Sequence, residues 1–178
     1  MVLGGWALAD EGQAEEGLAR IRQGIAAYRA TGAEIELSHW LGLLAEACGK
    51  SGQTRQGLSA LAEALTEVER NGIRYYEPEL YRLKGQLTLQ SETDHPHSAI
   101  PSQRSEAEEC FRKAIAIARS QNAKSLQLRA TTSLARLLQN QGRADEARLM
   151  LAEVYNWFTE GFDTEDLKDA KTLLEELA

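Results

Sequence analysis

The fold is decided by the stretch LAEACGKSGQTRQGL, which occupies residues 44–58. It indicates the end of one helix, a tight turn at Gly52 and the start of a second helix. The same pattern recurs at residues 134–147, and a truncated copy lies at residues 4–18. The intervals from Gly12 to Gly52 and from Gly32 to Gly72 are both 40 residues. Self-similarity at one fixed interval predicts a stack of helix pairs.

Composition favours helices throughout. The chain has 178 residues, of which 43% are hydrophobic and 26% charged, and only 3 are proline. Long stretches without proline, rich in Ala, Leu, Glu, Arg and Gln, suit α-helices. We therefore predict one all-α domain of about three and a half stacked helix pairs plus a capping helix.

The repeat spacing divides residues 1–178 into units. We predict units at about 1–32, 33–72, 73–122 and 123–161, with a capping helix at 164–178 that begins after Thr164. The interval from Gly57 to Cys110 is 53 residues, about 13 more than the repeat. Residues 91–104 contain two prolines and no hydrophobic period, so we predict an exposed loop there, with the helix restarting at Ser105.

Charge, hydropathy and cysteine content argue against some classes of protein. Net charge is −7 and the pI is about 5.1, opposite in sign to most proteins that neutralise nucleic-acid phosphates. The chain has no apolar run long enough to span a membrane and no basic-then-apolar leader, so a cytoplasmic location is expected. Cys48 and Cys110 lie on apolar helix faces, which predicts buried, reduced thiols.

Candidate chemical motifs have ordinary structural interpretations. The stretch Cys48-Gly49-Lys50-Ser51 resembles the end of a phosphate-binding loop, but no predicted strand precedes it. Position 44, where that loop requires another glycine, is a leucine. His95 and His97 beside Asp94 could ligate a metal, yet a site needs three or four convergent ligands. We expect no catalytic site, no metal and no cofactor. We also expect three aromatic side chains to fill the core between the last units: Trp157, Phe158 and Phe162.

Two-helix units with a glycine turn and small residues inside each helix resemble the tetratricopeptide repeat. The matching residues are Leu44, Ala45, Cys48, Gly52, Gly57, Leu61 and Ala64 in one unit and Leu134, Ala135, Leu138, Gly142, Ala147 and Leu151 in another. The interval of 40 rather than 34 residues and the absence of the repeat-ending proline depart from that family. Residues 5–17, 79–85, 123–130 and 154–164 are similar to the C-terminal repeats of bacterial regulators that carry a nucleotide cyclase or a signal-transduction ATPase.

The resemblance implies a right-handed α-α superhelix that serves as a non-enzymatic interaction module, with its first helices lining a concave groove. Carried over by register, the candidate groove residues are Trp6, Asp10, His39, Glu46, Lys50, Glu79, Arg82, Gln86, Arg129, Arg136, Gln139 and Asn140. Their charges predict a groove that becomes basic along the array and suits a peptide with an acidic end.

The partner and the use of the groove stay open at this point. One candidate is a protein or peptide, including other domains of the same parent chain. A second is a small molecule or second messenger bound in the groove. A third is another copy of the chain, bound through an apolar strip near Trp6 and Leu8 in the N-terminal half-repeat. Neither nucleic acid nor a membrane is expected as a partner.

Overall fold

A computed structural model describes residues 1–94 and 100–178, and these residues form nine α-helices and no strand. The helices are α1 (Val2–Asp10), α2 (Ala14–Ala30), α3 (Leu37–Lys50), α4 (Thr54–Asn71), α5 (Glu77–Asp94), α6 (Ile100–Ser120), α7 (Lys124–Asn140), α8 (Ala144–Tyr155) and α9 (Glu165–Glu176). The predicted all-α fold class is confirmed.

Helix pairs stack by translation. Each odd-numbered helix packs against the even-numbered helix that follows it, and also against the next odd-numbered helix. Within the described ranges, neighbouring even-numbered helices lie farther apart and are joined by long side chains, as Arg22 is to Gln56 and Arg119 to Glu153. The odd-numbered helices therefore form the inner, concave layer and the even-numbered helices form the outer layer. Helix α9 contacts α7 and α8 as a first helix of a fifth pair would.

The turns that end the helices require a left-handed backbone. Gly12, Gly52 and Gly142 have φ between +73° and +88° at turns inside pairs, and Asn122 takes φ +55° at a turn between pairs. Residues with a Cβ adopt the left-handed backbone conformation at an energetic cost that glycine avoids. Gly32, Gly72 and Gly161 complete the set. The predicted glycine punctuation is confirmed at these positions.

The third pair differs from its prediction. Helix α5 continues to Asp94 and α6 begins at Ile100, so residues 91–94 and 100–104 are helical and the predicted loop over 91–104 is wrong there. The predicted restart at Ser105 is also wrong, because α6 has 21 residues and Ser105 lies within it. Part of the insertion lengthens the two helices. The centre of the predicted loop, residues 95–99, lies outside the described residues.

The core forms two apolar clusters that meet within the third pair, with buried residues of α5 in the first and of α6 in the second. The first cluster runs from Val2 to Leu87, and the second runs from Ala107 to Leu177. Gly85 sits where they meet, since a Cβ at this glycine would come within 2.6 Å of the Phe111 ring. Helices α5 and α6 therefore cross closely at this glycine.

The C-terminal aromatic residues lie elsewhere than predicted. Helix α8 ends at Tyr155, so Trp157 and Phe162 lie in the connection that follows it. Trp157 is 58% exposed and Phe162 is 47% exposed, so their assignment to the core is wrong. Phe158 packs on the second cluster while only partly buried. Helix α9 covers the last pair instead, with Leu167, Ala170 and Leu173 among its buried residues.

Candidate functional site: the concave groove

A groove with a volume of about 720 Å³ runs along the inner layer. Its apolar lining comes from Leu83, Leu87, Leu89, Phe111 and Leu137. Amide side chains line it at Gln86, Gln90, Asn140 and Gln141. Its charged lining residues are Glu46, Lys50, Arg82, Arg104, Arg129, Arg136, Asp166 and Asp169. Apart from Leu89, the apolar lining residues are buried in the core, so the groove mainly offers hydrogen-bonding amides and charges.

The predicted groove residues fall into three groups. Seven of the twelve line the groove directly: Glu46, Lys50, Arg82, Gln86, Arg129, Arg136 and Asn140. Glu79 lies behind the lining, while Trp6 and Asp10 join it through Glu46 and Lys50. His39 and Gln139 do not line the groove. Whether any of these side chains binds a partner stays a prediction.

A buried ion pair lies behind the groove lining. Arg82 donates to Glu79 through Nε at 2.9 Å and through Nη2 at 2.6 Å, and Arg129 Nη2 lies 2.9 Å from Glu79 Oε1. The Glu79 side chain is 1% exposed and that of Arg82 is 7% exposed. Burial alone would lower the pKa of Arg82, but the Glu79 carboxylate outweighs burial and raises it. This triad fixes α5 against α7 and holds both guanidinium groups in place.

A second polar network joins α1 to α3 at the N-terminal end of the inner layer. Trp6 donates its indole N–H to Glu46 Oε2 at 2.9 Å, and Lys50 donates to Asp10 Oδ1 at 2.5 Å. Lys50 Nζ also lies 3.3 Å from Glu46 Oε1 and 5.2 Å from the Trp6 ring centre. Burial would lower the pKa of Lys50, but Asp10 and Glu46 together raise it. These contacts orient Glu46 and Lys50 at the groove.

The C-terminal end of the groove is not the open basic surface that the sequence predicts. Asp169 Oδ1 lies 2.6 Å from Arg136 Nη2, and Asp166 Oδ1 lies 3.7 Å from Arg129 Nε. The two carboxylates come from α9, which stacks on α7. They offset the arginine charges, so the predicted change from an acidic to a basic groove is wrong. Sequence reasoning missed both residues because it assigned α9 only a covering role.

His39 belongs to an aromatic cluster beside the groove. Its ring centre lies 4.8 Å from that of Trp40 and 4.4 Å from that of Tyr76. Glu36 Oε2 lies 3.0 Å from His39 Nδ1 and accepts a hydrogen bond from the Tyr75 hydroxyl at 2.8 Å. These two hydrogen bonds lower the pKa of Glu36, and burial raises the pKa of Tyr75 and Tyr76. The cluster joins α3 to the start of α5 and accounts for His39 without a ligand.

The remaining candidate groups are two histidines and two cysteines. In the part of the chain that the structure describes, no three His, Cys, Asp or Glu side chains converge as metal ligands. His95 and His97 lie outside the described residues. Cys48 and Cys110 are free and buried, as predicted, and burial raises the pKa of both thiols. Across residues 1–94 and 100–178, no helix combines the length and apolarity needed to cross a bilayer.

The groove lies on a fold shared with known repeat proteins. This chain is similar, at a TM-score of 0.65, to the structure of a predicted kinesin light chain from Podospora anserina. The repeats of that kinesin light chain are tetratricopeptide-like and nearly identical to one another. A single-substitution variant of that protein gives 0.66. Both are 18% identical in sequence and cover 99% of this chain and 82% of their own. No family model and no curated protein matches the chain. The fold is therefore a tetratricopeptide-like solenoid.

Proposed function

We propose that this chain is a non-enzymatic interaction module that holds an extended segment of a partner protein in the concave groove. The observation that carries the proposal is a groove of about 720 Å³ whose lining combines amide and charged side chains. Side-chain amides can hydrogen-bond the backbone of an extended peptide, and the charged lining residues can pair with its side chains. The buried Glu79 triad supports the proposal because it holds the groove arginines in place before any partner arrives.

A selection from a peptide library tests this function. Peptides displayed on phage would be selected on the immobilised protein, and the affinity of each enriched peptide would then be measured by fluorescence anisotropy. Arg136→Ala is expected to weaken binding about tenfold, the loss typical of a charge-assisted contact. Arg148→Ala is the matched control, because Arg148 is an exposed arginine on the outer helix α8. If the two variants bound every selected peptide with equal affinity, the groove would not be the binding site.

A second candidate is a small-molecule or second-messenger sensor in the same groove. A volume of about 720 Å³ falls within the range of small-molecule sites. Arg129 and Arg136 would suit a phosphate or carboxylate group. A thermal-shift screen with nucleotides separates the two candidates, because a ligand that binds only the folded form raises the melting temperature. A rise in melting temperature that is lost in the Arg136→Ala variant would favour the sensor function.

Self-association is a further candidate role, carried by α1. Leu3 is 58% exposed and Met1 is 70% exposed, whereas Leu43, one repeat after Leu3, is 6% exposed. A second copy could cover Leu3 with the same apolar face of its own α1. Light scattering is expected to show a dimer that dissociates on dilution. The Leu3→Ser variant is expected to be a monomer. A monomer at every concentration would contradict it.

The wider setting follows from sequence resemblance. We propose that the module belongs to a cytoplasmic bacterial signalling protein that also carries a nucleotide cyclase or a signal-transduction ATPase. Residues 79–85 and 154–164 are among the stretches that support this setting. The surrounding coding sequence tests it. An adjoining cyclase or ATPase domain is expected, and neighbouring domains of unrelated classes would contradict the proposal.

A further inference from the structure

We infer that Asp166 and Asp169 of α9 pair with Arg129 and Arg136 in the groove. There they take the places that acidic side chains of a partner would fill. The inference rests on the proposed function and adds the chemistry of the partner, an extended peptide segment rich in Asp or Glu. It also adds a mode of regulation, since the partner must replace the carboxylates of α9 on Arg129 and Arg136.

The first support is the position of the two carboxylates. Both Asp166 and Asp169 line the groove, three residues apart on one face of α9. Asp169 pairs with Arg136 at 2.6 Å, and Asp166 lies 3.7 Å from Arg129. These are the contacts that a bound acidic segment would make with the same guanidinium groups.

The second support is that α9 does not depend on these ion pairs for its attachment. Leu167, Ala170 and Leu173 are buried in the second core cluster. The side chains of Arg136 and Asp169 are 50% and 54% exposed, and pairs of such exposure contribute little to stability. An incoming segment could therefore take over the arginines while α9 stays packed on α7.

The third support is the environment of Asp166. Burial raises the pKa of this carboxyl group, although Arg129 and Arg82 lower it, and Glu79 and Asp169 add to the increase. The Asp166 side chain is 47% exposed and its Oδ1 lies 3.7 Å from Arg129 Nε, beyond hydrogen-bonding distance, so an incoming carboxylate could bind this guanidinium group more closely.

The fourth support is the charge that remains without α9. Among the described lining residues, the other charged side chains are Glu46 and the basic set Lys50, Arg82, Arg104, Arg129 and Arg136. With Asp166 and Asp169 replaced by neutral side chains, the lining has an excess of positive charge. An acidic segment is therefore the complementary partner.

The test uses two labelled probes and two double variants of the full chain. The probes are ten-residue peptides that alternate serine with glutamate or serine with lysine. D166N/D169N removes the internal carboxylates. E175Q/E176Q is the matched control, because it removes the same charge from two exposed positions of α9 that do not line the groove. Fluorescence anisotropy gives the affinities at a fixed, low salt concentration.

We expect D166N/D169N to bind the glutamate probe about fivefold more tightly than the unmodified chain. The control should stay within about twofold of the unmodified chain. Adding R136A to D166N/D169N should remove the gain. A gain of equal size in E175Q/E176Q, a gain for the lysine probe, or a gain that survives R136A would overturn the inference.

Folding and the parent proposal are checked separately. Circular dichroism and thermal unfolding would confirm that α9 remains in place, and the single variant D169N, whose partner is exposed, would replace the double variant if it does not fold. The library-selected peptides distinguish the two levels of the account. If they lose affinity with Arg136→Ala but are insensitive to D166N/D169N, the inference fails and the groove function stands.

Discussion

Trp6 and Glu46 are joined by a hydrogen bond of 2.9 Å and are separated in sequence by one repeat of 40 residues. The two residues hold the same place on successive first helices, as do Asp10 and Lys50. Register-equivalent side chains therefore face each other across the inner layer, and the repeat interval sets which residues can pair. The same interval leads from Lys50 to Gln90, which donates to the Gly49 carbonyl at 2.9 Å.

Replacing Trp6 with Phe tests this register contact. The variant keeps an aromatic ring but leaves Glu46, which is 18% exposed, without its indole donor. We expect a loss of about 1 kcal/mol in the free energy of unfolding, measured with urea. Trp157→Phe is the control, because Trp157 is 58% exposed and should change stability by less than about 0.5 kcal/mol. Equal losses in the two variants would contradict a structural role for the hydrogen bond.

Two glycines of the first pair should respond to alanine in opposite directions. A Cβ at Gly17 would lie 2.6 Å from the Gly5 carbonyl oxygen and from the Ala9 backbone nitrogen, so α1 would have to move away from α2. Gly17→Ala is expected to destabilise the fold by about 1–3 kcal/mol. A Cβ at Gly4 meets no atom within 4 Å, so Gly4→Ala should stabilise α1 by up to about 1 kcal/mol. Calorimetric melting temperatures that shift in the same direction would show that the two helices are packed differently.

Glu79 should be the most sensitive carboxylate among those with described ion pairs. Glu79→Gln leaves Arg82 buried without a counter-charge, and breaking a buried pair in this way costs about 3 kcal/mol or more. Glu153, which pairs with Arg119 on the surface, is 69% exposed, so Glu153→Gln should cost less than about 1 kcal/mol. Denaturant unfolding compares the two. A small loss for Glu79→Gln would mean that the triad does not anchor α5 to α7.

Stability should depend on pH through Glu36. The hydrogen bonds from His39 and Tyr75 lower its pKa in the folded chain. A carboxyl group whose pKa is lowered by folding contributes stability above its unfolded pKa of about 4.3, and that stability is lost as the pH falls through the folded value. Glu36→Gln should therefore reduce the melting temperature at pH 7, and the difference from the unmodified chain should narrow at pH 3. A difference that does not depend on pH would assign the effect to packing.

The fold was largely predictable because two local signals agree. Glycine at the turns and apolar residues spaced by three or four fix where most helices end and which faces they bury, as at Gly52 and Gly142. The third pair was harder, since a stretch with two prolines indicates a loop even though Pro101 lies in the first turn of α6, where proline needs no hydrogen-bond donor. Trp157 was misplaced because α8 ends before it, and no residue near Tyr155 marks that end clearly.

The groove was predictable in part, because register identifies helix faces but not neighbours. Gln86 and Asn140 follow from their place on first helices and line the groove. The pairing of Arg136 with Asp169 depends on α9 stacking as a fifth first helix, which no local pattern of the last 15 residues reveals. His39 likewise follows the register, yet contacts between α3 and the start of α5 turn it into an aromatic cluster.

The most direct test of the central claim is a map of where a selected peptide binds. Side-chain amide signals in a two-dimensional NMR spectrum report on the groove through Gln86, Gln90 and Asn140, and on the outer layer through Gln23 of α2 and Gln56 of α4. On titration with a library-selected peptide, we expect saturating shifts in the first three signals and none in the last two. Shifts confined to Gln23 and Gln56 would place recognition on the outer layer and contradict a binding site in the groove.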